Sequence, residues 1–125
     1  MAIIMDGNLL RDETVARLRS EIEAMGSPPV CLATVLVGED KPSQIYVRNK
    51  QRKAEEAGMQ SRHVGIPGDA SQAQVEDAVG ALAADPAVHG ILVQLPLPGG
   101  LDPEAVLALL PPEKDVDGLT ERSMG

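Results

Sequence analysis

The sequence predicts a single α/β domain over residues 1–125, a mainly parallel sheet flanked by helices. Two observations carry that expectation. Segments with helical apolar spacing alternate with short apolar runs rich in β-branched residues, and the changeovers fall on Gly, Pro or Asp. At 125 residues the chain is also long enough to close one core and short for two. Alternating elements of this kind imply βαβ units with right-handed crossovers.

Ile3 and Ile4 suggest an edge strand ahead of the first helix. Residues 9 to 25 then carry Val15, Leu18, Ile22 and Met25 at helical spacing, and Gly26 with Pro28 and Pro29 supplies the stop. The run 30 to 37 is apolar without polar alternation, as expected of a strand covered on both faces. A second helix is expected from Pro42 to Ala57, with Gly58 at the C′ position. Residues 62 to 66 read as a shorter strand ending at Pro67-Gly68.

Ser71 with Gln74 forms a capping-box pattern, and Val75, Ala78, Val79 and Leu82 give the helix that follows one apolar face, ended by Asp85-Pro86. Residues 90 to 95 form a third buried strand. A Pro/Gly loop follows, and Asp102 then caps a short helix with Pro103 at its first position.

Composition narrows the function. A formal charge of −8 opposes a nucleic-acid partner, whose binding rests on Lys and Arg neutralising phosphates. No apolar run approaches the roughly 20 residues needed to span a bilayer, and the amino terminus has no export pattern, so no membrane association and a cytoplasmic location are expected. Cys31 is the only cysteine and lies inside an apolar run, which makes it a small core residue. His63 and His89 are far apart, with no carboxylate at ligand spacing. They read as surface or strand-end residues, and no metal site is expected. Phe and Trp are absent, so Tyr46 is the one aromatic side chain.

Three groups of polar residues fall where ligands bind. Ser43, Tyr46 and Lys50 share one face of the second helix, and Lys50 sits among Val47, Ala54 and Ala57 on its apolar stripe. Its neighbours three and four positions away are Tyr46, Val47, Lys53 and Ala54, none of them acidic. A lysine held away from water and carboxylates exchanges protons more readily near neutral pH, and a tyrosine hydroxyl one turn away can orient it. The plainer reading of Lys50 is a stem on apolar surface with its ammonium in water.

Gln94 lies between Val93 and Leu95 at the carboxyl end of the third strand, where open α/β sheets bind ligands, or it caps that strand's last backbone groups. Asp117 stands in Lys114-Asp115-Val116-Asp117-Gly118, which on its own reads as an Asx turn closed by glycine. It lacks the further oxygen ligands of a calcium loop. No G-x-G-x-x-G and no G-x-x-x-x-G-K-[ST] occurs, so the sequence shows no phosphate cradle for a nucleotide.

Taken in order, Val37-Gly38-Glu39-Asp40, Ser43-Gln44-Ile45-Tyr46-Val47-Arg48-Asn49-Lys50, residues 90 to 98 and residues 112 to 120 closely resemble the methylenetetrahydrofolate dehydrogenase/cyclohydrolase family. The resemblance covers essentially the whole chain and departs at Lys41-Pro42, where the family has proline and then a small residue. It implies that Lys50 is the catalytic lysine, that Tyr46 stacks on the pterin, that Gln94 positions the lysine and that Asp117 holds the amino-pyrimidine edge. Ser43, Val93 and Leu95 would complete the substrate site.

It also implies oxidation of 5,10-methylenetetrahydrofolate with NADP to the methenyl cation, then hydrolysis to 10-formyltetrahydrofolate. NADP would sit on a Rossmann domain that follows this region and is absent from these 125 residues, so dehydrogenase activity and cofactor binding are not expected of the fragment alone. The complete enzyme would be a homodimer acting on tetrahydrofolate derivatives. Two rivals remain. The S-x-x-Y-x-x-x-K spacing also suggests the short-chain dehydrogenases, but these want their serine about a dozen residues before the tyrosine and a glycine-rich turn after the first strand. A non-catalytic α/β binding or interaction module leaves Lys50 on an apolar stripe without a reason.

Overall fold

A computed structural model describes residues 11–116 of the chain. The Ile3-Ile4 strand and Asp117 lie outside those residues. The order is α1 (Asp12–Ala24), β1 (Cys31–Val37), α2 (Lys41–Glu56), β2 (Gln60–Ile66), α3 (Gln72–Ala84), β3 (Gly90–Val93) and α4 (Pro103–Leu107), closed by a 3-10 turn at Pro112–Lys114. The three strands are parallel in the order β2-β1-β3. The α/β class is therefore as the sequence predicts.

Every residue of β1 is buried, because it is the central strand with a helical layer on each face. Leu32 and Leu92 pack with Val15, Leu18, Ile22 and Ala54 on the α1/α2 side. Ala33, Val35, Ile91 and Val93 pack with Val75, Val79 and Val106 on the α3/α4 side. Alternation along the strands thus decides which layer each side chain meets. Cys31 is buried in the core, and the backbone N–H of Cys31 donates to His89 Nδ1 at 3.2 Å at the start of β3.

Local signals set most boundaries. Gly58 follows α2 with φ of 90°, a conformation that costs a residue with a Cβ and costs glycine little. The capping box at Ser71 and Gln74 is complete in both directions. Asp102 accepts from the N–H groups of Glu104 and Ala105 and opens α4.

Four details differ from the sequence expectation. β2 begins two residues earlier than expected, since Gln60 N–H already donates to Val30 O at 2.7 Å; polar side chains suit it as an edge strand. β3 stops at Val93, and Gln94 N–H makes one more bond to Val35 O before the chain turns through the cis Leu95-Pro96 peptide. Met25 follows α1 as its cap and is exposed. In the Lys114 to Gly118 segment, Asp115 forms a parallel bridge with Ile91 and Val116 is buried, so this stretch lies alongside β3.

Asp85 binds the far end of the domain together. Its carboxylate accepts from Ala87 N–H at 2.8 Å and from Arg62 Nη1 at 2.9 Å, and Lys114 Nζ donates to Ala83 O and Asp85 O. The Ala87 bond first, and Arg62 after it, hold the Asp85 carboxyl below its ordinary value.

Candidate functional site

Helix α2 crosses the sheet with different chemistry on each flank. Val47 and Ala54 are buried beneath it. At about 100° per residue, Tyr46 and Lys50 fall to one side of that stripe, and Gln44, Arg48 and Gln51 to the other.

On the first flank, Lys50 Nζ donates to Gln94 Oε1 at 3.4 Å. Gln94 is 9% exposed, and its own amide nitrogen donates to Leu95 O at 3.0 Å. That second bond fixes the amide orientation so that the oxygen faces the lysine. Tyr46 is 52% exposed one turn earlier, leaving its ring free to meet a ligand. The side chain of Gln94 projects to the α2 face because Leu92, two residues back, does so.

The structure thus brings Lys50 and Gln94 together beside Tyr46. Ser43 is near by sequence, yet it is 3% exposed and its Oγ donates to Asp40 Oδ2 at 2.8 Å, so its hydroxyl secures the start of α2. Val93 directs its side chain into the opposite layer, away from Lys50, and has only backbone to offer a ligand on this face. Leu95 is half-buried beside the Gln94 amide.

The second flank carries features the sequence reading missed. Gln51 Nε2 donates to Thr34 Oγ1 at 3.0 Å, and Thr34 Oγ1 lies 3.1 Å from His63 Nδ1. Thr34 is fully buried at the centre of β1, and a lone hydroxyl in an otherwise apolar run was the available signal. A cavity of about 790 Å³ opens here, lined in part by Leu36, Gln44, Arg48, Gln51, His63 and Ile66. It is not lined by Lys50 or Gln94. Asp40 was also missed: its carboxylate caps α2 by accepting from Ser43 N–H at 3.1 Å. Among the described residues no group of three or more His, Cys, Asp or Glu is placed to hold a metal ion.

Gly38, Gly68 and Pro98 lie close together where the three strand-to-helix loops meet. A Cβ on Gly38, whose φ is 90°, would lie 3.4 Å from Pro98 Cγ and 3.8 Å from Gly68 Cα. The carboxyl edge of the sheet is therefore closed around backbone, with the Lys50–Gln94 pair to one side.

Comparison with known proteins gives consistent matches over this region. Residues 5–117 match a family model described as tetrahydrofolate dehydrogenase/cyclohydrolase, catalytic domain. The bifunctional protein FolD of Methanoculleus marisnigri is 49% identical over 123 residues, covering 98% of this chain and 43% of that protein. The crystal structure of the FolD enzyme from Campylobacter jejuni is 31% identical with a TM-score of 0.80, over 96% of this chain and 45% of that one. A Trypanosoma brucei methylenetetrahydrofolate dehydrogenase-cyclohydrolase, solved with NADP cofactor and inhibitor, is 34% identical with a TM-score of 0.79, over 94% and 41%. The chain therefore spans less than half the length of the relatives it matches.

Proposed function

Because the chain belongs to the tetrahydrofolate dehydrogenase/cyclohydrolase family, through that family's catalytic domain, we propose that it binds a reduced folate and supplies the proton-transferring residues of that reaction pair. The single observation that carries this reading is the Lys50–Gln94 contact at 3.4 Å beside the exposed Tyr46 ring. A flat pterin suits the face of Tyr46, and Asp117, outside the described residues, would accept from the amino-pyrimidine edge.

Hydrolysis of the methenyl cation adds water to the bridging carbon, breaks the carbon–nitrogen bond on the pterin side and leaves the formyl group on the other nitrogen. The water oxygen becomes the formyl oxygen, so both its protons leave: one ends on the departing nitrogen and the other is released to solvent, carrying off the positive charge of the methenyl cation. Lys50 would relay a proton from the attacking water to the departing nitrogen. Gln94 holds Nζ in place through its uncharged amide oxygen.

The complete protein would also oxidise the methylene form with NADP and act as a homodimer, as the sequence resemblance implies. The described residues do not fit the dinucleotide. The helices after β1, β2 and β3 are capped by Asp40, Ser71 and Asp102, so carboxylates or a closed capping box occupy the ends where a pyrophosphate would bind. No step through the nicotinamide is assigned to them. Among the described residues no helix is long and apolar enough to cross a membrane.

The test is Lys50→Met in the complete protein. It keeps the apolar stem and removes the amine, so hydrolysis of methenyltetrahydrofolate should be lost while folate binding persists. Near-normal hydrolysis would return Lys50 to a surface role.

A further inference from the structure

We infer that Thr34 and Gln51 are positioning residues for Lys50: they fix the rotation of α2 from the flank opposite the reacting lysine. The inference rests on the proposed role of Lys50 and extends it to residues that touch no substrate.

Lys50 and Gln51 are consecutive, so their side chains leave α2 about 100° apart. One reaches Gln94 after β3, and the other reaches Thr34 in β1. Between them the helix rests on Val47 and Ala54, small apolar side chains whose packing resists separation more than rotation. Directional bonds on both flanks supply what that packing lacks.

The margin on the lysine side is narrow. At 3.4 Å the Lys50–Gln94 contact lies near the outer limit of a hydrogen bond. Rotating α2 by about 10° moves a side-chain tip at a radius of about 6 Å by about 1 Å, enough to break it. The Gln51–Thr34 bond, at 3.0 Å, is the shorter and more buried anchor. Thr34 is fully buried, and its oxygen also meets His63 Nδ1 at 3.1 Å, so its hydroxyl proton has an acceptor when that nitrogen is unprotonated. His63 packs over Gly65, where a Cβ would lie 3.6 Å from Nε2. Lys53 also ties α2 to Asp12 at 2.9 Å, but Asp12 is 93% exposed, so that pair restrains the helix weakly.

The experiment follows the side-chain amide signal of Gln94 by NMR in the chain, with Lys50→Met as the reference for a broken contact. Thr34→Val keeps the shape and removes the hydroxyl, and Thr34→Ser restores it. Thr34→Val should move the Gln94 signal toward its position in Lys50→Met and, in the complete protein, slow methenyltetrahydrofolate hydrolysis roughly tenfold, while the backbone amide of Ile91 stays in place and tetrahydrofolate binding persists as in Lys50→Met. Thr34→Ser should recover both. If Thr34→Val does not fold, Gln51→Leu cuts the same link from the half-buried helix side and decides the question. A Gln94 signal at its wild-type position in the folded variants overturns the inference. Absence of any folate binding by the wild-type chain would count against the proposed function, while the Gln94 signal would still report on the link.

Discussion

Lys50 and Gln94, 44 positions apart in the chain, meet at 3.4 Å because α2 lies across β1 and shares a sheet face with the residue that follows β3. Removing the acceptor should therefore displace the lysine without removing it. In the complete protein, Gln94→Ala should lower the hydrolysis rate by as much as about 100-fold, the scale of a 1 Å misplacement, with a smaller loss of folate affinity. Separate determination of kcat and KM checks this.

Asp40 and Ser43 form the joint that starts α2. Asp40→Ala removes both bonds to Ser43 and leaves a buried hydroxyl without that acceptor. A stability loss of about 1–2 kcal/mol is expected. Urea denaturation should show a lower midpoint at an unchanged slope.

At Gly38, alanine would place a Cβ at a φ of 90° and 3.4 Å from Pro98 Cγ. The backbone conformation alone should cost about 1–2 kcal/mol. The same substitution at Gly80, inside α3 with nothing within 4 Å of a new Cβ, should be neutral or stabilising. Comparing the two melting temperatures isolates the conformational cost from the effect of adding a methyl group.

Asp85 gives the fold an acid-sensitive joint. Its pKa is lowered in the folded state, chiefly by the Ala87 N–H bond and then by Arg62, so the unfolded chain binds that proton more tightly. Its contribution is fully present above the ordinary value of 3.8 and is lost as pH falls toward and through the lower folded value. Asp85→Asn should flatten the stability profile in that acid range while lowering stability modestly at neutral pH. Denaturation midpoints measured from neutral pH downward check the sign.

The sequence announced its architecture because local chemistry and burial agree. Capping signals at Ser71 and Asp102, the glycine after α2 and the unbroken apolar run of β1 each act within a few residues. The edge strand was expected two residues short because Gln60 and Ser61 are polar and their pairing depends on β1, a partner distant in sequence. For the site, helix periodicity placed Tyr46 and Lys50 on one face, and the strand end placed Gln94 near it. The role of Ser43 as a partner of Asp40 was not visible, since a serine on that face reads equally as a ligand contact. The Gln51–Thr34–His63 chain was hidden for a different reason: it joins three elements, and no spacing within one of them reveals it.

The central claim is that folate lies on the Lys50 flank of α2, and mapping tetrahydrofolate onto the chain by backbone and side-chain NMR tests it most directly. Saturable shifts should centre on Tyr46, Lys50, Gln94 and Leu95, and ligand at 100 times its dissociation constant should add about 2.7 kcal/mol of stability. Shifts centred instead on Arg48, Gln51 and His63 would place the ligand in the cavity on the other flank and contradict the account, as would no saturable shift at all.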